Sequence, residues 1–311
     1  MKVLFIDTAH PFLWNSLMEH GYDCVYDENF SSSNYEQYLA DAEGVVIRSK
    51  IKLTAAVLAK APKLKFIARV GAGMENIDFE FAQKMGITCF NAPEGNRNAV
   101  AEQALGMLLS LFNNLNKADR EVRNGIWLRE ENRGEELCGK TVALIGYGNT
   151  GSTFAKRLRG FDIQLLVYDA FLKDFGNEFV IESSMDAIFE KADVVSLHVP
   201  LTEETMFMVN KQFIQKFNKP IYIINTSRGK CLKTQDLVDE MKIGKVKGAC
   251  LDVLEYEGVS FEKMEENSPA FQYLIEQENV ILTPHIAGWT HQSNLKMAEI
   301  LVEKIKKHFP I

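Results

Sequence analysis

Thr141-Val-Ala-Leu-Ile-Gly146-Tyr-Gly148-Asn-Thr-Gly151 is the stretch that decides how this 311-residue chain is read. An apolar, strand-forming run leads straight into glycines spaced G-x-G-x-x-G, and a helical pattern follows. In that setting the first glycine permits a tight strand-to-helix turn, and the second lets the backbone approach a pyrophosphate. The third lets helix and strand pack closely. The helix N-terminus then presents unpaired N–H groups and the positive end of its dipole to the phosphates. The next apolar run, Gln164–Tyr168, ends in Asp169, 18 residues past Gly151. A carboxylate there accepts hydrogen bonds from ribose hydroxyls and repels a 2′-phosphate, so the expected dinucleotide is NAD rather than NADP.

Outward from this motif the same alternation continues. Strands are expected at Val194–His198, Ile221–Asn225, Lys247–Asp252 and Val280–Thr283, with a weaker one near Val180. The first third offers Val3–Ile6, Val45–Ile47, Leu64–Ile67 and Ile87–Phe90, with helical spacing over Thr54–Lys60 and Phe79–Lys84. Short apolar strands alternating with helical patterns signal βαβ units and parallel sheets, an α/β protein. From Asn98 to about Asn124 one long helix is expected, with Val100, Ala104, Leu105, Leu108, Leu109 and Leu111 at helical intervals. It is more apolar than a surface helix needs, so it is buried either within its domain or between subunits. Glu257–Gln277 reads as a polar, irregular insertion, and a helix over about Gln292–Lys307 closes the chain.

A length of 311 residues suits two domains better than one. The net charge of −7, with no basic stripe, excludes a nucleic-acid footprint. Lys304, Lys306 and Lys307 are read as complementing the dipole of the terminal helix. No apolar run reaches the length of a membrane span, and Met1–Asp7 reads as a strand rather than a signal peptide. Cys24, Cys89, Cys138, Cys231 and Cys250 are odd in number and lack metal-ligand spacing. Reduced thiols in a cytoplasmic protein are expected, with no metal site.

Several strands of the glycine-motif domain end in residues able to do chemistry. Asn225-Thr226-Ser-Arg228-Gly229 follows one, Asp252 and then Glu257 another, and Thr283-Pro-His285 a third. Ligands of open α/β sheets bind beyond the carboxyl ends of the strands, so these groups are expected to share one crevice. Taken singly, each reads as a surface or structural residue. Together they suit hydride transfer at a carbonyl carbon. A histidine exchanges the hydroxyl proton, a carboxylate orients it, and an arginine holds a substrate carboxylate in bidentate fashion.

These residues resemble the D-isomer-specific 2-hydroxyacid dehydrogenases. The likeness runs through Arg69-Val-Gly71-Ala-Gly73, Ala92-Pro-Glu-Gly-Asn96, Val100-Ala-Glu102, the glycine motif, His198-Val-Pro200-Leu, Asn225-Thr-Ser-Arg228-Gly229, Leu251-Asp252-Val253 and Thr283-Pro-His285-Ile-Ala-Gly288. The resemblance implies two doubly wound parallel-sheet domains. One is a Rossmann-type NAD domain over residues 96–288, and the other a flavodoxin-like substrate domain over 1–95 and 289–311. It implies a catalytic trio of Arg228, Glu257 and His285. Gly146, Gly148, Asn149, Thr150, Gly151, Asp169, Val199, Pro200, Thr226 and Gly288 would line the cofactor, with Asp252 on the nicotinamide amide. The backbone of Val70, Gly71 and Ala72 would cradle the substrate carboxylate, and the protein would be a homodimer through its cofactor domain.

Val46-Ile-Arg48-Ser49, Ala92–Asn96 and Trp127-x-Arg129 look like the branch of the family whose substrate carries a phosphate. Arg48, Arg69, Arg129 and Arg133 are the candidate cations for it. A sister expectation is reduction of glyoxylate, hydroxypyruvate or another 2-keto acid. A third is an NAD-sensing interaction protein of the same fold, although no partner-binding tail is evident. The chain departs from the family pattern in having Gly258 after Glu257, where proline is common, and in a longer stretch from Glu257 to His285. No regulatory small-molecule domain is expected after residue 311.

Overall fold

The structure, a computed structural model, describes residues 1–26, 35–258 and 268–311. By its internal contacts the chain divides into two units. One holds Met1–Arg97, Gly258 and Trp289–Ile311, and the other holds Asn98–Glu257 and residues 268–288.

The first unit carries β1 (Lys2–Phe5), β2 (Asp23–Tyr26), β3 (Gly44–Ile47), β4 (Phe66–Arg69) and β5 (Thr88–Phe90), in the order β2-β1-β3-β4-β5. Every pairing is parallel. This is the flavodoxin-like order. Alternation along each strand fills a core on either face. Leu4, Val45, Ile47 and Ile67 point into one cluster, while Val3, Phe5, Val46 and Phe66 point into the other. The second cluster is completed by Met297, Ala298, Leu301, Val302 and Ile305 of the closing helix, His291–His308. Thr290 starts that helix with a reciprocal capping pair to Ser293.

The second unit carries β6 (Thr141–Ile145), β7 (Gln164–Tyr168), β8 (Val180–Glu182), β9 (Val194–Leu197), β10 (Ile221–Asn225), β11 (Val246–Leu251) and β12 (Val280–Leu282). The order is β12-β11-β10-β9-β6-β7-β8, again all parallel. Strand order reverses between β6 and β9. Because every pairing is parallel, the carboxyl ends of β6, β9, β10, β11 and β12 lie along one edge of the sheet, with the switch point between β6 and β9.

The structure corrects two expectations and answers one left open. The long helix of Asn98–Asn124 is two helices, Pro93–Phe112 and Leu115–Arg123, broken where Asn114 adopts φ 51°. Asparagine tolerates that left-handed conformation, which ends the first helix. The surplus apolar face is also explained within the unit. Ala101, Ala104, Met107, Leu108, Leu111 and Phe112 pack with Val142, Leu144, Leu165 and Val167 of the sheet. Third, part of the presumed irregular insertion is the Pro269–Glu276 helix. Ser268 accepts from Phe271 N at 3.2 Å, proline occupies the first turn, and Ala270 and Leu274 bury themselves in the core. Residues 259–267 of that stretch lie outside the described residues. Several elements were not placed by the sequence, among them the Pro11–Glu19, Met185–Lys191, Lys211–Gln215 and Thr234–Lys242 helices and β2, whose residues are only partly buried.

Candidate active site

The glycine motif behaves as its spacing demands. Gly146 sits at φ +98°, and a Cβ there would meet His198 O at 2.4 Å. A Cβ on Gly151 would meet Gly146 O at 2.1 Å. Gly148 differs, since a Cβ there would meet nothing within 4 Å. It is the N-cap of the Asn149–Arg157 helix, and no side chain caps that end. Asn149 and Thr150 thus begin a helix whose first-turn N–H groups face space that a pyrophosphate can fill.

Behind the loop, His198 is buried, with Nε2 at 2.9 Å from Ser196 Oγ. Burial pushes its imidazole down to about 3, so it stays neutral and supports the glycines from beneath. Val199 and Pro200 continue from it, and Pro200 O accepts from Thr205 Oγ1 at 2.7 Å.

Asp169 follows β7. Its carboxylate accepts from Tyr147 N at 2.7 Å and from Phe171 N and Leu172 N at 2.9 Å each. Partial burial works to raise its proton affinity, but the backbone donors Leu172, Tyr147 and Phe171 outweigh it and hold the acid below its ordinary value. The group is therefore a fixed anion beside the glycine loop, suited to a ribose diol and hostile to a phosphate.

At the end of β10, fully buried Asn225 knits the following turn. Its Oδ1 accepts from Ser227 N at 3.1 Å and Ser227 Oγ at 2.8 Å, and its Nδ2 donates to Arg228 O at 3.0 Å. Arg228 itself donates to Ser227 O at 2.7 Å. Gly229 is required by close approach, since a Cβ there would lie 2.0 Å from Leu254 O. That contact draws the Arg228 turn against the segment bearing Glu257. Thr226 Oγ1 is buried without a hydrogen-bond partner. An orphaned buried hydroxyl at the mouth of the switch point is a group a bound ligand satisfies. Together with the uncapped helix start, it shows that the residues present fit a dinucleotide.

Glu257 and His285 form a close pair, with Oε2 to Nδ1 at 2.6 Å. Glu257 Oε1 also accepts from Leu254 N at 2.5 Å, which fixes the carboxylate from its other side. His285 stands at φ 55°, a conformation costly for a residue with a Cβ. Asp252 supplies what holds it. Its buried carboxylate accepts from Thr283 Oγ1 at 2.5 Å, Ile286 N at 2.8 Å and Ala287 N at 2.9 Å, and its carbonyl accepts from His285 N at 2.8 Å. Sequence reasoning assigned Asp252 to the nicotinamide amide. In the structure its side chain is occupied with the turn that carries His285. Gly288 ends the same segment, half-buried.

In the first unit, Val70 is buried and Gly71 adopts φ +156°. A Cβ at Gly71 would lie 1.6 Å from Arg69 Nη1, so the Arg69 guanidinium lies directly across this glycine. Gly71 O accepts from Ala92 N at 2.8 Å, and Ala72 O accepts from Asn91 Nδ2 at 2.7 Å. Arg69 Nε donates to Arg48 O at 3.1 Å, which brings these two arginines together. Arg129 and Arg133 belong to the other unit. Both are solvent-exposed or nearly so, and Arg133 is paired with Glu130 at 2.7 Å. Asn225 and Gly229 entered the sequence reading as members of the Arg228 motif but without a role of their own, and Asp7 and Trp289 carried no signal there.

A family profile described as D-isomer specific 2-hydroxyacid dehydrogenase, NAD binding domain, matches residues 105–287. The hydroxypyruvate reductase of Thermotoga maritima is 35% identical, covering 92% of this chain and 91% of its own length. A D-3-phosphoglycerate dehydrogenase of Archaeoglobus fulgidus is 33% identical over 98% of this chain, which spans 56% of that relative. The crystal structure of a D-lactate dehydrogenase from Aquifex aeolicus, complexed with NAD and lactic acid, matches with a TM-score of 0.86. It is 30% identical and is covered over 99% of this chain and 95% of that one. Fold and site thus define an NAD-dependent oxidoreductase. The chain belongs to the D-isomer-specific 2-hydroxyacid dehydrogenase family.

Proposed function

We propose that the protein interconverts a D-2-hydroxy acid and its 2-keto acid, with D-3-phosphoglycerate as the substrate oxidised. The observation that carries the chemistry is the Glu257–His285 pair at 2.6 Å on a turn clasped by Asp252. Nδ1–H donates to Glu257, so Nε2 is left to take the substrate hydroxyl proton, and Glu257 stabilises the imidazolium that results. Arg228, held by the Asn225 turn, orients the substrate carboxylate and polarises the forming carbonyl. When bound, NAD supplies the hydride acceptor. Gly146, Gly148 and Gly151, with Asn149 and Thr150, hold its pyrophosphate, and Asp169 its ribose. Val199, Pro200, Thr226 and Gly288 line the remainder. The carboxylate also meets the backbone of Val70, Gly71 and Ala72, and Arg48 and Arg69 face the phosphate. Arg129, which is solvent-exposed, is a further candidate for the phosphate.

A homodimer is part of this proposal. It is supported by Leu115, Val122, Ile126, Trp127 and Leu128, large apolar side chains at least 43% exposed in one region of the sequence. The partition into an NAD domain at 96–288 and a substrate domain at 1–95 and 289–311, in a cytoplasmic enzyme, completes it. A second reading, reduction of hydroxypyruvate or glyoxylate, is favoured by the Thermotoga maritima relative, which the chain matches over 91% of its length. Following NADH absorbance with D-3-phosphoglycerate, hydroxypyruvate and glyoxylate decides between them. A kcat/KM at least tenfold higher for an unphosphorylated acid sinks the phosphoglycerate assignment.

A further inference from the structure

We infer that Trp289 is a specificity-determining residue, which stacks on Arg48 and sets its guanidinium to receive a second anionic group on the substrate tail. The inference rests on the proposal that Arg48 faces substrate. Arg48 Cζ lies 3.6 Å from the centre of the Trp289 ring. Both residues belong to the same unit, and Trp289 is the first residue after the chain leaves the segment bearing His285.

Both backbone groups of Arg48 are hydrogen-bonded. Its N–H donates to Asp7 Oδ2 at 2.9 Å, as do Ser49 N at 2.9 Å and Lys50 N at 3.0 Å. Its carbonyl accepts from Arg69 Nε at 3.1 Å and from Asn76 Nδ2 at 3.3 Å. Asp7 spends its other oxygen on Thr8 N at 2.7 Å. The acid nearest in effect to Arg48 is therefore committed to backbone groups, and among the described residues no carboxylate forms an ion pair with the guanidinium.

A half-buried cation with its donors unspent is costly unless something outside the fold uses it. Stacking on tryptophan leaves the planar N–H fork edge-on and available, in the geometry that matches phosphate or carboxylate in bidentate fashion. Trp289 is itself 61% exposed, so its ring serves no core. A short acid with an uncharged tail has nothing to offer this fork. A tail bearing a phosphate or second carboxylate does.

The test is Trp289→Leu and Trp289→Phe, with kcat/KM measured for D-3-phosphoglycerate and for D-glycerate, the same skeleton without the phosphate. Trp289→Leu is expected to lower kcat/KM for D-3-phosphoglycerate about tenfold, chiefly through KM, and to change D-glycerate less than about twofold. Trp289→Phe, which keeps an aromatic face, is expected to retain most of the preference. Calorimetric titration of D-3-phosphoglycerate into the NADH-bound protein reads the same loss without turnover, and if the leucine variant does not fold Trp289→Gln, which also lacks the aromatic face, is compared there. A parallel fall for both acids, an unchanged ratio, or a wild-type enzyme indifferent to the phosphate overturns the inference and leaves the dehydrogenase assignment standing. Failure of every 2-hydroxy acid to react contradicts that assignment instead, and the titration then decides the role of Trp289.

Discussion

Replacing Glu257 with glutamine isolates the electrostatic part of the site, because the side chain keeps its size and one of its hydrogen bonds. In the structure Oε2 lies 2.6 Å from His285 Nδ1, and Oε1 accepts from Leu254 N at 2.5 Å. At about 4 Å between charge centres and an effective dielectric near 20, an imidazolium and a carboxylate attract by about 4 kcal/mol. The side chains are 23% and 14% exposed, so solvent screens part of this and about 2 kcal/mol is realised when the proton reaches His285. That corresponds to about 30-fold in rate. A second effect points the same way. The glutamine oxygen takes over the bond from Leu254 N, which turns the amide NH2 toward Nδ1. The favoured tautomer then carries its proton on Nε2, the nitrogen that must accept one. The expected fall in kcat for oxidation is about 30- to 300-fold, with the NADH dissociation constant changed less than twofold. Stopped-flow measurement of NADH formation, with cofactor fluorescence for binding, gives both numbers. A rate within threefold of the wild type would refute the pairing as the source of the base.

The glycines separate folding from binding. Gly151→Ala collides with Gly146 O and is expected to lower stability by about 1–3 kcal/mol in urea melts, whereas Gly148→Ala faces open space and is expected to leave the melt unchanged while weakening NAD at least tenfold by fluorescence titration. Asp169→Ala removes a fixed anion and its three backbone bonds, so KM for NAD is expected to rise and the ratio of NAD to NADP activity to fall about tenfold or more. Lys140 and Tyr222 hold the Glu135 carboxyl at about 2, below its ordinary 4.5. A depressed carboxylate contributes stability that is present above its unfolded value and lost as pH falls from about 4.5 toward 2. Glu135 is 37% exposed, so Glu135→Gln is expected to flatten that acid limb by no more than about 1 kcal/mol in melts taken across the window.

Much of the second unit is legible because its strands are buried on both faces and read as unbroken apolar runs. Thr141–Ile145, Gln164–Tyr168 and Ile221–Asn225 are found at the residues where pattern alone puts them. The helix Phe79–Lys84 is equally plain, flanked by capping Asp78 and Gly86. β2 is not, because Asp23–Tyr26 is an edge strand with both ends exposed and its middle residues half-buried, and its four residues carry one charge and one aromatic. The break at Asn114 escaped because apolar spacing counts the faces of a helix and is blind to a single left-handed residue.

The site divides in the same way. Groups named by motif could be found one by one, and the structure joins Glu257 to His285 and packs the Arg228 turn against Leu254. The clasp by Asp252 and the stacking of Trp289 on Arg48 depend on where side chains turn, which no spacing encodes. Of four candidate arginines, only Arg48 and Arg69 are linked in one unit, and Arg133 shows the ordinary fate of a surface arginine, an ion pair with a neighbouring glutamate.

The central claim is that His285 takes the hydroxyl proton of a D-2-hydroxy acid as its hydride passes to NAD. Single-turnover NADH formation with saturating NAD, comparing D and L acids in wild type and His285→Ala, tests it most directly. A burst with the D acid alone, lost by a factor of 10² to 10⁴ in the variant while NAD still binds, is the predicted result. A burst with the L acid, or a variant that transfers hydride at the wild-type rate, would contradict it.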